Sequence, residues 1–233
     1  MKVRGVLAAL VVASAAATAL IGGASARTAG AQAGLPEVAN LQTKASYQRI
    51  VVSWKQPTYV GYDHVAIWEV VDDGTPFKIY TGKDTSITVD GVDNSRDYLF
   101  HVVTVNTTNH LSVGNNVEVD PSTLLTAPEE GETVEAPPRL VWSRVPGAKF
   151  YNVQLYQNGV KLLSSWPRTR YLQLRPNWHF ANHRRALRPG RIHWYVWPAF
   201  GTRAAPQYGS QLGASAFIVP GNACTASLDG ANC

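Results

Sequence analysis

The sequence predicts an all-β protein made of two antiparallel seven-stranded β-sandwiches in tandem, and three observations lead there. Short segments alternate residue by residue: Ile50, Val52 and Trp54 with Val51, Ser53 and Lys55, and Val65, Ile67 and Glu69 with Ala66, Trp68 and Val70. Turn-forming groups such as Asp72-Asp73-Gly74, Asp93-Asn94 and Asn158-Gly159 separate these segments. No eleven-residue window carries the stripe of a helix. A period of two means strands, and many short strands broken by turns bury their alternate side chains best between two facing sheets. With 45% hydrophobic and 16% charged residues over 233 positions, the composition excludes a disordered or collagen-like chain.

In chain order, Lys2 and Arg4 precede an apolar and small-residue run from Val6 to Ile21, then Ala24-Ser25-Ala26. This is the pattern of a secretory signal over residues 1–26, and it predicts an extracellular chain with no transmembrane segment after cleavage. The run of sixteen residues is shorter than the ~20 that span a bilayer. Residues 27–35 read as a flexible amino-terminal segment, 36–122 as the first sandwich, 123–220 as the second and 221–233 as a tail. Export places Cys224 and Cys233 where a disulfide persists, closing that tail. Asp120-Pro121-Ser122 marks the boundary between the sandwiches, short and stiffened by proline.

The motifs become specific at Asp97-Tyr98-Leu99-Phe100-His101-Val102-Val103-Thr104-Val105-Asn106. Together with Ile50 to Pro57 around Trp54, and Thr88-Val89-Asp90-Gly91-Val92, this segment resembles the fibronectin type III family over roughly residues 36–122. The resemblance implies an immunoglobulin-like sandwich in which Tyr98 is the corner tyrosine, its hydroxyl bonded to backbone upstream. The plan recurs in divergent form from residue 123, with Trp142 in Arg139-Leu140-Val141-Trp142-Ser143 and a third strand over Ala148 to Tyr156. In the sixth strand, Pro189 to Trp197, Ile192 stands where the tyrosine belongs.

Charge is divided. Residues 36–122 hold eleven acidic and six basic side chains, whereas residues 139–220 hold twelve basic and none acidic. The second segment is thus an attractor for an anionic cell-surface polymer, an acidic polysaccharide, or the acidic first sandwich itself, with nucleic acid the lesser alternative. If Ile192, Trp194 and Val196 point inward, then His193, Tyr195 and Trp197 share the outer face. The family's topology sets Tyr156, Gln154 and Asn152 beside them. Flat rings next to amides suit sugars, since rings cover the apolar faces of pyranoses and amides bond hydroxyls. A covering loop or the first sandwich could equally bury the stripe for stability. Between the fifth and sixth strands, Trp178, Arg184, Arg185 and Arg188 lie in a segment of interleaved rings and cations, a second candidate contact or a solvated cap on the sandwich.

No catalytic motif is present: no Gly-x-Ser-x-Gly, no His-Glu-x-x-His and no phosphate-cradling glycine loop. Glu69 with Asp72 or Asp73 is the one close acidic group on the acidic strands, and the aspartates read as a hairpin turn. His179 and His183 have helix-compatible metal spacing, but Arg184, Arg185 and Arg188 repel a cation, so no metal and no cofactor is expected. The expectation is a secreted, non-catalytic binding module that recognises a polysaccharide or anionic surface polymer through Tyr156, His193, Tyr195 and Trp197. The alternatives are an accessory component of extracellular polysaccharide degradation and a structural spacer with a protein partner.

Overall fold

In the computed structural model, residues 34–221 are described. The expected signal segment, nearly all of the segment expected at 27–35, and the expected Cys224–Cys233 disulfide lie outside the described residues. Turns at positive φ punctuate the strands where the sequence offers Asx or glycine, as at Asp72 and Asp73 and at Asn158-Gly159. Seven strands result in the first half: β1 Ala39–Ser46, β2 Arg49–Lys55, β3 Tyr62–Val71, β4 Phe77–Gly82, β5 Ser86–Asp90, β6 Tyr98–Asn106 and β7 Asn115–Val119. They form two antiparallel sheets, β1-β2-β5 and β4-β3-β6-β7. Ile50, Val52 and Trp54 from one sheet meet Val65, Ile67, Phe100 and Val102 from the other in one buried cluster. The hydroxyl of Tyr98 accepts the Asp93 backbone N–H at 2.8 Å, the corner bond that the resemblance implies.

The second half repeats the three-plus-four arrangement. Its strands are β8 Leu125–Ala127, β9 Arg139–Trp142, β10 Phe150–Gln157, β11 Val160–Ser165, β12 Tyr171–Gln173, β13 Asn177–Phe180, β14 His183–Ala186, β15 Gly190–Ala199 and β16 Ala214–Val219. Sheet β12-β9-β8 faces sheet β11-β10-β15-β16 across Leu140, Trp142, Tyr151, Val153, Leu155, Ile192, Trp194, Val196 and Phe217. Ile192 is fully buried and makes no corner bond; Tyr151 on β10 does the equivalent work, its hydroxyl accepting the Val145 N–H at 3.1 Å. The molecule is all-β, with no helix among the described residues.

One element adds to the sequence expectation. Residues 175–188 form an eighth and ninth strand, the hairpin β13-β14, added to the seven of the sandwich. His179 and His183 are therefore on strands, not one helical turn apart, and alternation sends them to opposite faces of the hairpin. Among the described residues no group of three His, Cys, Asp or Glu side chains is placed to hold a metal ion.

The two sandwiches touch along a small seam. Ala45 on β1 packs against both cores, and the ring of Tyr47 in the β1–β2 turn lies 6.5 Å from that of Phe200. Gln48 Nε2 donates to Ser210 Oγ at 3.1 Å. Buried Asn94 fixes this turn, accepting the Gln48 N–H at 2.7 Å and donating to the Ser46 carbonyl at 3.0 Å.

Candidate functional site

β10 and β15 are central neighbours, and their register sets the face of the site. Tyr156 pairs with His193, Gln154 with Tyr195, and Asn152 with Trp197. Because Tyr151, Val153 and Leu155 point inward together with Ile192, Trp194 and Val196, every one of those pairs projects from the outer face. On the far side of β15, β16 sets only Ala216 beside His193 and Ala214 beside Tyr195, so the rings stand above a low edge.

Tyr156 and Tyr195 meet edge to face at 5.7 Å, and Tyr195 and Trp197 lie 6.1 Å apart at 38°. Such contacts hold the rings at fixed angles to one another. The Tyr156 hydroxyl donates to Gln154 Oε1 at 2.8 Å, and Ser164 Oγ donates to Asn152 Oδ1 at 3.2 Å. Each amide oxygen thus accepts one bond and keeps a second lone pair, and among the described residues neither amide nitrogen has a hydrogen-bond partner. Lys161 Nζ sits 5.3 Å from the Tyr156 ring centre. Tyr156, Gly159, His193, Tyr195, Trp197 and Gln211 line an open depression of about 380 Å³, within the size range of small-ligand sites. Among the described residues neither the first sandwich nor a loop closes it: His193 is exposed, and Tyr156, Tyr195 and Trp197 are half-buried.

The structure thus brings together four of the eight ligand-contact candidates. The other four are elsewhere, on or beside the β13-β14 hairpin, and none lines the depression. Trp178 is half-buried and caps the sandwich: its indole N–H donates to the Leu162 carbonyl at 2.7 Å and its ring packs on the core. Arg185, cross-strand from Trp178, shares that inner side; it is half-buried, and its buried Nε has no partner. Arg184 and Arg188 are exposed. Gln157 Nε2 donates to the Arg188 and Pro189 carbonyls at 3.1 Å each, tying the hairpin's exit to the end of β10. The sequence reading missed Gln211 and Gly159 as lining residues. Gly159 was visible as a turn, but Gln211 belongs to a loop whose return along β15 no local pattern announces; Leu212 N–H bonding the Val196 carbonyl at 2.7 Å brings it there.

In the acidic first sandwich, Asp72 serves the turn. Its Oδ2 accepts from Arg96 Nε at 2.6 Å and its Oδ1 from the Asp97 N–H at 2.8 Å, and the Arg96 hydrogen bond holds its carboxyl below the usual range. Burial pushes the half-buried Glu69 carboxyl up. Trp68, on the other face of β3, lies under Lys78 Nζ at 4.6 Å and beside the His101 ring.

No protein-family model matches the chain. No curated protein matches it either. Among solved structures, tandem fibronectin type III proteins resemble it over most of its length. A two-domain fibronectin type III segment of chicken tenascin is 14% identical, covering 74% of this chain and 97% of that one at a TM-score of 0.34. The chicken interferon gamma receptor alpha chain is 12% identical over 79% and 98%, also at 0.34. The spore cortex lytic enzyme SleM of Clostridium perfringens is 18% identical over 36% of this chain, at a TM-score of 0.29, and the match spans only 26% of that enzyme. The three-plus-four strand order, rather than these distant likenesses, defines the architecture.

Proposed function

We propose that this chain is an extracellular, non-catalytic binding module that recognises a polysaccharide or anionic surface polymer through the outer face of β10 and β15. The observation that carries this reading is the half-exposed row of Tyr156, Tyr195 and Trp197 along an open depression, flanked by the amides Asn152 and Gln154, whose nitrogens have no hydrogen-bond partner among the described residues. Rings stacked on sugar faces supply area at little entropy, and adjacent amides supply direction. The excess of cations over residues 139–220 adds attraction at a distance.

The test is cosedimentation of the exported chain with purified cell walls and insoluble polysaccharides at low and high salt. Retention that survives salt and falls at least tenfold in Trp197→Ala supports the ring platform. Retention lost in salt and unaffected by Trp197→Ala assigns binding to the arginine-rich segment. No retention on any polymer refutes the reading and leaves a spacer or a protein-partner role.

A further inference from the structure

The outer-face register continues beyond Trp197. β11 pairs Ser165 with Val153, and the Tyr151 N–H bonds the Pro167 carbonyl at 2.9 Å, so Trp166 comes opposite Asn152 and extends its row on the side away from Trp197. One step further along the sheet, Phe150 pairs with Ala199, and Ala199 with Tyr208. The Phe150 and Tyr208 rings meet edge to face at 6.3 Å, and Trp166 Nε1 donates to the Tyr208 hydroxyl at 2.9 Å. Trp166 and Tyr208 nevertheless remain 42% and 45% exposed, over a Phe150 floor that is only 3% exposed. Arg203 closes the cluster: its Nη2 donates to the Trp166 carbonyl at 2.5 Å and its guanidinium carbon lies 5.8 Å from the Phe150 ring centre.

We infer that Trp166, Tyr208 and Arg203 form a second aromatic subsite on this face, and that the two subsites together hold one linear acidic polysaccharide chain. The inference rests on the platform reading and deepens it by naming the ligand class. From Tyr156 to Phe150 the face runs six residues of strand, about 20 Å at the rise of an extended chain, which is long for one sugar and suited to several in line. Asn152 lies between Trp197 and Trp166, and Gln154 and Ser164 continue the row of Tyr195, so rings and hydrogen-bonding groups alternate instead of forming the contiguous apolar patch of a protein interface. Lys161 sits near one end and Arg203 at the other, neither paired with a carboxylate among the described residues, and no Asp or Glu occurs between residues 139 and 220. A chain bearing carboxylates or sulfates complements that charge; a neutral chain leaves it unused.

The experiment is calorimetric titration of the exported chain with oligogalacturonates and alginate oligomers from disaccharide to octasaccharide, beside neutral cello-oligosaccharides. In an acidic series, affinity should rise at least tenfold between disaccharide and hexasaccharide and then level off. Trp166→Ala should remove that gain while leaving disaccharide binding unchanged, which also reports that the variant is folded; Trp166→Phe should restore most of it. Arg203→Gln should narrow the preference for acidic over neutral oligomers. Binding that is independent of length and abolished by Trp197→Ala would overturn the second subsite and leave the platform standing. A length gain that persists in Trp166→Ala would also overturn it, and an equal gain with the neutral series would overturn the acidic ligand. No binding of any oligomer to the parent chain would remove the platform reading along with this one.

Discussion

Two carboxylates three residues apart in the first sandwich respond to pH with opposite sign, because their surroundings differ. Asp72 is stabilised as an anion by Arg96 and the Asp97 N–H, and its carboxyl is held low. Its contribution is present above the pKa of the unfolded chain and is lost as pH falls through the lower folded value. Glu69 is half-buried and its carboxyl is pushed up by desolvation, so ionisation disfavours the folded state; stability is highest below the unfolded value and is lost as pH rises through the raised one. Asp72→Asn should therefore lower the urea midpoint at pH 7 and lower it less at pH 3. Glu69→Gln should raise the midpoint at pH 7, with the gain vanishing at pH 3. Equal effects at both pH values would mean that neither charge matters to folding. Trp197 belongs to the same scale, since its role follows from alternation along one strand.

At the scale of elements, the β13-β14 hairpin is the part the sequence concealed. Its turn is Ala181-Asn182, both at positive φ, 50° and 62°. This is the geometry of a tight hairpin turn, but alanine is a poor signal for it, and the dense arginines and histidines around it read as a charged loop. An L-alanine held there costs about 1–2 kcal/mol of local strain. Ala181→Gly should therefore strengthen the hairpin by about 1 kcal/mol, observed as roughly fivefold slower amide exchange across β13 and β14. Unchanged exchange would mean that the turn is not what limits opening. Elsewhere in the second sandwich, part of the β16 edge is covered. Thr133 bridges to Ile218, and Glu132 and Val134 bond the Ile218 backbone, so β16 presents no free edge at that point. Glu130 also pairs with Arg191 and accepts the Ala216 N–H at 2.7 Å, bringing acidic charge to the basic half from outside residues 139–220.

At the scale of the whole molecule, the two cores communicate through few groups. The Tyr47–Phe200 contact, the Gln48–Ser210 hydrogen bond and Ala45 make the seam, and the Pro121 carbonyl accepts the Ala214 N–H at 3.0 Å where the linker folds back. Gly213 permits that return, since a Cβ there would strike the Pro121 carbonyl oxygen. The parent chain should unfold in a single calorimetric transition, and Tyr47→Ala combined with Gln48→Ala should split it into two, each retaining its own enthalpy. Two transitions in the parent would show that the seam does not couple the sandwiches.

Legible in the residues alone were the strand-rich class of the fold, the inward sets on β2, β3, β6, β10 and β15, and the shared outer face of His193, Tyr195 and Trp197, all from the period of two, a local property of an extended chain. Tyr156 joined that face only through the strand order that the family resemblance implies, which the β10–β15 register bears out. Long-range contacts settled that Trp178 packs on the core, that Tyr151 replaces the missing corner tyrosine, and that Gln211, Trp166 and Tyr208 come to the ring face. Those outcomes depend on loops returning across the sheet and on which donor reaches which carbonyl, pairings between residues far apart in sequence that no local pattern encodes.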